Sequence, residues 1–323
     1  MRAFILLGAV FFCLAGFSAE AKTATVEKFV RIAKGRSLFI HWDKAEEGKP
    51  TAVLLNGLTY STEDWDRFAE ALREKGYGVF RYDPYGMGET LEKSGAVEDV
   101  IRIEDQARDL DLVTKAVGLT GRLHLVGLSY GGGLAIAFAR DYAERIESAV
   151  LMAPFTKPLA QQDSWIRSQI LWTRLTFPLN PATDEELYAF FLRQNVYYVY
   201  PYSEPSMLRS PLKPEAVFQM TQGIRQYDMI SAAKKFPARA LHLVVAGMDQ
   251  YIPRDTLDSF WNGLPARVRG SRLILDYSEH KIPEAFPSFA AAWVAAVMTK
   301  QDGLDKGRSY EADPTTGKVT PLP

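Results

Sequence analysis

The stretch HLVGLSYGGGLAIAFA, residues 124–139, sets a short apolar run directly against a small-residue helical pattern, with Gly127-Leu128-Ser129-Tyr130-Gly131 at the join. The run RLHLVG predicts a buried strand and Tyr130 to Arg140 a helix, so Ser129 stands on a strand-to-helix turn. Such a turn is sharp. The flanking glycines relieve crowding between strand and helix, and the serine hydroxyl projects beyond the carboxyl edge of the sheet.

The same alternation extends on both sides. TVEKFVRIAKGRSLFIHWD, residues 25–43, alternates apolar and polar around Lys34-Gly35 and predicts a β-hairpin. PTAVLLNG is a strand ending in a turn, and Trp65, Phe68, Ala69 and Leu72 fall at helical spacing before Gly76. YGVFRYDPYGMGET is a strand entering a Gly-rich loop. Ala107, Leu110, Val113 and Val117 mark a second amphipathic helix, and IESAVLMAP is another strand. This order predicts an α/β fold with a mostly parallel central sheet and helices on both faces.

At Phe155 the alternation stops. Residues 155–232 hold no parallel-sheet strand and read as a helical cap inserted over one end of the sheet, with helices near 162–175 and 183–195. Strand and helix resume with ALHLVVAGMD, a helix near 254–262, RLILDYSEH and a last helix over 284–298. From Gln301 onward apolar residues are few, and the tail 301–323 is expected to be disordered. The expected division is therefore 22–154 and 233–300 for the two parts of the core, with 155–232 as the cap. Most of the cap aromatics (Trp165, Trp172, Phe177, Phe190, Phe191, Tyr197 and Tyr198) are expected to pack on the sheet. Their functional alternative is an apolar acyl pocket.

A basic Arg2, an apolar run from Ala3 to Phe17 and Ala19-Glu20-Ala21 fit a signal peptide, residues 1–21, cleaved after Ala21. An exported protein, periplasmic or secreted, is expected, with no stable membrane span after cleavage. The single cysteine, Cys13, lies in that leader, so thiol catalysis, disulfides and Cys-zinc sites are excluded from the mature chain. The formal net charge of −1 provides no field for nucleic acid.

A serine hydroxyl is a poor nucleophile by itself. It needs a base, a group that orients the base and donors for the oxyanion. Of the four histidines, His124 and His242 lie in buried strand patterns and His41 in the hairpin. His280 follows the last strand, at the carboxyl edge, and is the candidate base. Asp249, in the loop after ALHLVVAGM, is the candidate acid, ahead of Asp276, Asp255 and Asp228. Asp83 is read as holding its own loop. The candidate oxyanion donors are the backbone N–H groups of Tyr130 and of Leu58, where Gly57 lets the chain turn inward.

With these residues assembled, the chain resembles the α/β-hydrolase superfamily over about residues 25–300. The likeness rests on LLNGLTYS at 54–61, RYDPYGMGET at 81–90, GLSYGG at 127–132, AGMDQYIP at 246–253 and SEH at 278–280. The order Ser129, Asp249, His280 is that of the superfamily. Asn56-Gly57 stands where the family usually has His-Gly, which leaves the backbone donor in place but no histidine side chain. The resemblance implies Ser129 as nucleophile, His280 as base and Asp249 as acid, with a cap inserted after the strand that ends near Pro154. Relatives acting on halides or epoxides use an aspartate nucleophile, and residue 129 is serine. The expected activity is hydrolysis of a small or lipid-like acyl ester, lipase, lysophospholipase or monoacylglycerol-lipase-like, with no metal or organic cofactor. Thioester, amide or carbon–carbon hydrolysis by the same triad is the alternative, and a non-catalytic ligand-binding fold the third.

Overall fold

The computed structural model describes residues 24–97, 99–301, 304 and 307–323. The expected signal segment lies outside them. Ten strands form one sheet: β1 (Thr25–Ala33), β2 (Arg36–Asp43), β3 (Thr51–Leu55), β4 (Gly78–Asp83), β5 (Leu123–Leu128), β6 (Ile146–Met152), β7 (Leu241–Ala246), β8 (Arg269–Leu275), β9 (Arg308–Asp313) and β10 (Lys318–Pro321). Their order is β1-β2-β4-β3-β5-β6-β7-β8-β9-β10. From β4 to β9 every neighbouring pair is parallel, whereas β1, β2 and β10 pair antiparallel.

Helices cover both faces. They are α1 (Asp66–Arg73), α2 (Gly88–Ser94), α3 (Ile103–Ala116), α4 (Tyr130–Tyr142), α5 (Ala160–Thr176), α6 (Asp184–Gln194), α7 (Tyr200–Ser203), α8 (Lys213–Ile224), α9 (Met229–Ala233), α10 (Arg254–Gly263), α11 (Ile282–Ala285) and α12 (Pro287–Met298). Every residue of β4 and of β7 is buried, as strands covered on both faces must be. Alternate residues feed two cores. Val53, Leu55, Leu125 and Leu243 face the layer with α3 and α4, and Ala52, Leu54, Val126 and Val244 the layer with α1 and α12. Between β6 and β7 the chain leaves the sheet and builds α5 to α9, the helical cap.

The tail corrects the expectation of disorder. β9 pairs parallel with β8, from Ser271 opposite Arg308 to Ile274 opposite Glu311, and β10 folds back on β9. Asp313 turns the hairpin by accepting from the Thr315 amide at 2.9 Å, and Tyr310 meets Trp293 edge-on at 5.7 Å. An edge strand is held by the open hydrogen-bonding row of its neighbour, so it needs little apolar content of its own.

Candidate active site

The site is assembled from the carboxyl ends of four parallel strands. Leu55 of β3 lies opposite Gly127 of β5, which sets the residues after β3 beside those after β5. Ala246 of β7 lies opposite Leu275 of β8, and the two loops that follow are tied together. Gly247 N–H donates to Leu275 O at 2.8 Å, and Met248 N–H to Ser278 O at 2.9 Å.

Ser129 has φ 52° and ψ −115°, a conformation that L residues rarely adopt. It is held there from both sides: its N–H donates to Met152 O at 2.9 Å, and its carbonyl accepts from Phe155 N–H at 2.8 Å. The turn also requires close approach. A methyl on Gly131 would overlap the carbonyl oxygen of Leu55, and one on Gly127 would overlap the backbone of Gly131. Both neighbours are backbone and cannot swing aside. Gly131→Ala is therefore expected to cost about 3 kcal/mol of stability or more, read as a lower urea midpoint.

Asp249 and His280 meet in this structure. Asp249 Oδ2 lies 2.6 Å from His280 Nδ1, with the Asp249 side chain 0% and the His280 side chain 12% exposed. The other carboxylate oxygen, Oδ1, accepts the N–H groups of Tyr251 at 2.8 Å and Ile252 at 2.9 Å. An acceptor-only carboxylate at Nδ1 assigns the proton to that nitrogen and leaves Nε2 as the acceptor. The Tyr251 ring packs edge-on against the imidazole at 5.1 Å.

Ser129 and His280 line one cavity, together with Leu58 and Tyr130. Among the described residues the amides of Leu58 and Tyr130 have no hydrogen-bond partner. The cavity holds about 50 Å³ for the centres of water-sized molecules, and Leu128, Phe155, Val196, Val217 and Ile224 make much of its wall. The cap aromatics divide: Trp165, Phe191 and Tyr197 pack against the core as expected, while none of Trp165, Trp172, Phe177, Phe190, Phe191, Tyr197 or Tyr198 lines this cavity, which corrects the acyl-pocket alternative. Tyr188 and Tyr200 do so in their place. Trp172, Phe177, Phe190 and Tyr198 are exposed instead of packed on the sheet. Helical spacing told which residues share a face, and the docking of the cap decided which face turned inward.

Three further cavity residues were not singled out from the sequence. Glu204, on the cap, is buried and accepts the Tyr251 hydroxyl at 3.0 Å, and it pairs with Lys281 at 3.2 Å. Tyr251 is two residues past Asp249, and Lys281 follows His280, so one cap carboxylate touches both loops that carry this pair. Adjacency to the candidates is a signal for Tyr251 and Lys281. No sequence pattern marks Glu204.

The remaining histidines are structural. His124 Nδ1 is 2.8 Å from Ser148 Oγ, His242 Nδ1 is 2.8 Å from Ser271 Oγ, and His41 lies between Glu27 and Asp43. Asp276 pairs with Arg254, and Asp228 caps α9 through the Ser231 amide. Asp83 does more than hold its own loop. Its Oδ2 accepts the Glu89 amide at 3.0 Å, while Oδ1 accepts the Thr62 amide at 2.8 Å and Asn56 Nδ2 at 3.1 Å. Asn56 Oδ1 in turn accepts Trp65 Nε1 at 3.0 Å. Asn56 thus does by side-chain amide what ties the turn carrying Leu58 to β4.

Burial pushes the Asp83 carboxyl up to about 6, against the pull of those three donors. The folded chain keeps this proton up to that pH, whereas the unfolded chain releases it near 4. Stability from this group therefore falls as pH rises from about 4 to about 6, by about 3 kcal/mol, and is level above. Asp83→Asn should flatten that part of a urea-midpoint profile. A variant with the wild-type slope would refute the assignment.

A sheet of this order, crossed by helices, with a strained serine after its central strand and an acid–histidine pair after two others, defines an α/β hydrolase. Residues 46–283 match the family described as serine aminopeptidase, S33, and the chain belongs to that family. A 2-hydroxy-6-oxononadienedioate/2-hydroxy-6-oxononatrienedioate hydrolase of Paraburkholderia phymatum is 35% identical over 135 residues, 40% of this chain and 45% of that protein. The chain thus spans less than half the length of the curated relatives it matches. A thermophilic esterase from Thermogutta terrifontis superposes with TM-score 0.60 at 19% identity, covering 86% of this chain and 98% of that one. The enol-lactonase from Burkholderia xenovorans LB400 does so with TM-score 0.60 at 19% identity, covering 84% and 99%. Among the described residues no group of His, Cys, Asp or Glu is arranged to hold a metal ion, and no helix is long and apolar enough to cross a membrane.

Proposed function

We propose that this hydrolase cleaves carboxylic esters through an acyl-enzyme on Ser129. The observation that carries the reading is that the strained serine and the Asp249-bound His280 open on the same largely apolar cavity. Ser129 Oγ attacks the ester carbonyl carbon as its proton passes to His280 Nε2. The oxyanion is received by the amides of Leu58 and Tyr130, each such donor contributing about 100- to 1,000-fold in rate. The tetrahedral centre collapses, the bond to the alkoxy oxygen breaks, and His280 protonates the departing alcohol. Water then attacks the acyl-serine, giving its proton to His280, and the acid leaves with Ser129 regenerated.

Charge in the cavity favours an uncharged acyl chain. Its two cations are already partnered: Lys281 by Glu204 at 3.2 Å, and Arg225 by Glu185, with the Arg225 guanidinium 4.1 Å over the Tyr188 ring. A dianionic substrate would have to break one of these pairs.

Carbon–carbon hydrolysis is the second reading, favoured by the name of the Paraburkholderia relative. A panel of p-nitrophenyl esters of rising acyl length, a p-nitroanilide and a 2-hydroxy-6-oxo-dienedioate tests both. Esters turned over well above the dienedioate support the first reading, and the reverse order overturns it. No turnover, with no fluorophosphonate labelling of Ser129, would favour a non-catalytic binding role. An exported location belongs to the same reading and rests on residues 1–21; a mature chain beginning at Lys22 would support it.

A further inference from the structure

We propose that the solvent-facing end of the cap seats on the surface of an uncharged or zwitterionic lipid assembly. The inference rests on the ester-hydrolase reading, because it says where that cavity obtains its substrate.

Helix α5 runs for 17 residues, yet only Ile166 is buried. Beyond it Leu171, Trp172 and Leu175 share one helical face, and Phe177 and Leu179 continue the apolar surface into the turn toward α6. Trp172 is 65% and Leu179 95% exposed. Large side chains left this bare on consecutive turns mark an interaction surface.

Charge and shape select the occupant. No charged residue lies between Leu175 and Thr183. The neighbouring cations are neutralised within the cap, Arg174 by Asp184 at 2.7 Å and Arg167 by Asp163 at 2.7 Å. Nothing here attracts an anionic headgroup or an acidic protein. The apolar groups project from a helix end and a turn. A lipid phase takes up such projections without a matching surface, and tryptophan favours its interface. A second copy of the chain would require a self-complementary patch.

The surface also lies on the helix that borders the site. A groove of mixed lining, with Trp165 and Val199 beside Gln161 and Asn195, shares Leu159, Gln162, Tyr200 and Tyr251 with the catalytic cavity. Trp165 is on α5, on the N-terminal side of the bare turns. Helix α5 thus carries both the bare turns and, through Gln162, part of the wall of the catalytic cavity.

The test is flotation of the full chain carrying Ser129→Ala with phosphatidylcholine vesicles. Partition into the vesicle fraction, unchanged on raising salt about ten-fold, is expected, because screening acts only on charge. Replacing Trp172, Leu175, Phe177 and Leu179 by serine should lower that partition at least about ten-fold. In the chain with Ser129 intact, the same four replacements should leave hydrolysis of a short soluble ester within about two-fold, since none of them lines the catalytic cavity. No partition of the parent chain overturns the inference. So does partition untouched by the four replacements, or partition that needs anionic lipid and fades with salt. Self-association lost on the same replacements, without vesicle binding, would assign the face to a second copy and overturn it as well. Vesicle binding without hydrolysis of any ester would uphold the seat and overturn the ester reading.

Discussion

Ser129→Ala is expected to lower kcat on every ester substrate by about 10⁶-fold, because the reaction loses its covalent intermediate and the remaining groups act as one unit with it. What survives should be the catalysis owed to binding and to the Leu58 and Tyr130 amides, about 10³- to 10⁴-fold over water. Fluorophosphonate labelling should vanish in step. Stability separates this from a folding defect. The φ of 52° at residue 129 is a cost the folded chain carries whatever the side chain, and alanine does not relieve it. Glycine does. Ser129→Gly should be as inactive as the alanine variant yet more stable by about 1 kcal/mol, after allowing for the extra freedom glycine gives the unfolded chain. Steady-state kinetics beside urea unfolding of the three proteins checks both parts. A Ser129→Ala protein with activity within ten-fold of the parent would leave the acyl-enzyme without support.

The second large effect is at the acid. Asp249→Asn should lower kcat by about 10⁴-fold with little change in fold. Oδ1 of the new amide can still accept the Tyr251 and Ile252 N–H groups, so the loop keeps its two anchors. The atom facing His280 Nδ1 becomes an NH₂ donor, however. The imidazole must then place its proton on Nε2, where a base is needed, and no carboxylate stabilises the imidazolium. His280→Ala, which removes the base outright, should fall at least as far. Rates for the two variants at neutral pH, with circular dichroism for the fold, decide the point. An Asp249→Asn enzyme near full activity would mean that the 2.6 Å contact has no part in the chemistry.

These two variants act on residues whose types and order are legible in the linear chain. The run into Gly127, the serine between glycines and the helical small-residue pattern after it read as a strand, a turn and a helix, and they are β5, Ser129 and α4. Parallel strands buried on both faces announce themselves as unbroken apolar runs, which is why β3, β5, β6 and β7 stand out. His280 emerges by elimination, since the other three histidines lie where a strand or hairpin pattern absorbs them. Asp249 emerges from its place after a buried strand. Each of these inferences is local: it uses the period of a strand or helix, or the residue types at its end.

The failures were nonlocal. Arg308–Asp313 has little apolar content of its own, and its strand exists because β8 presents an open edge to it. Glu204 lies in a cap segment without any distinguishing pattern, and it matters because the cap's fold carries it to Tyr251 and Lys281. Trp172 and Phe177 are expected to pack, and they stand in solvent because α5 turns Trp165, Ile166 and Ile170 to the interior instead. By itself, then, the sequence determined the α/β alternation, the turn that presents Ser129 and the candidates Asp249 and His280, which the fold brings together, since periodicity and turn chemistry act between near neighbours. Tertiary structure alone decided which cap face meets the cavity, what closes the edge of the sheet and which carboxylate bridges the loops that follow β7 and β8. Those outcomes depend on which surfaces come into contact, and contact between distant segments leaves no period in the chain.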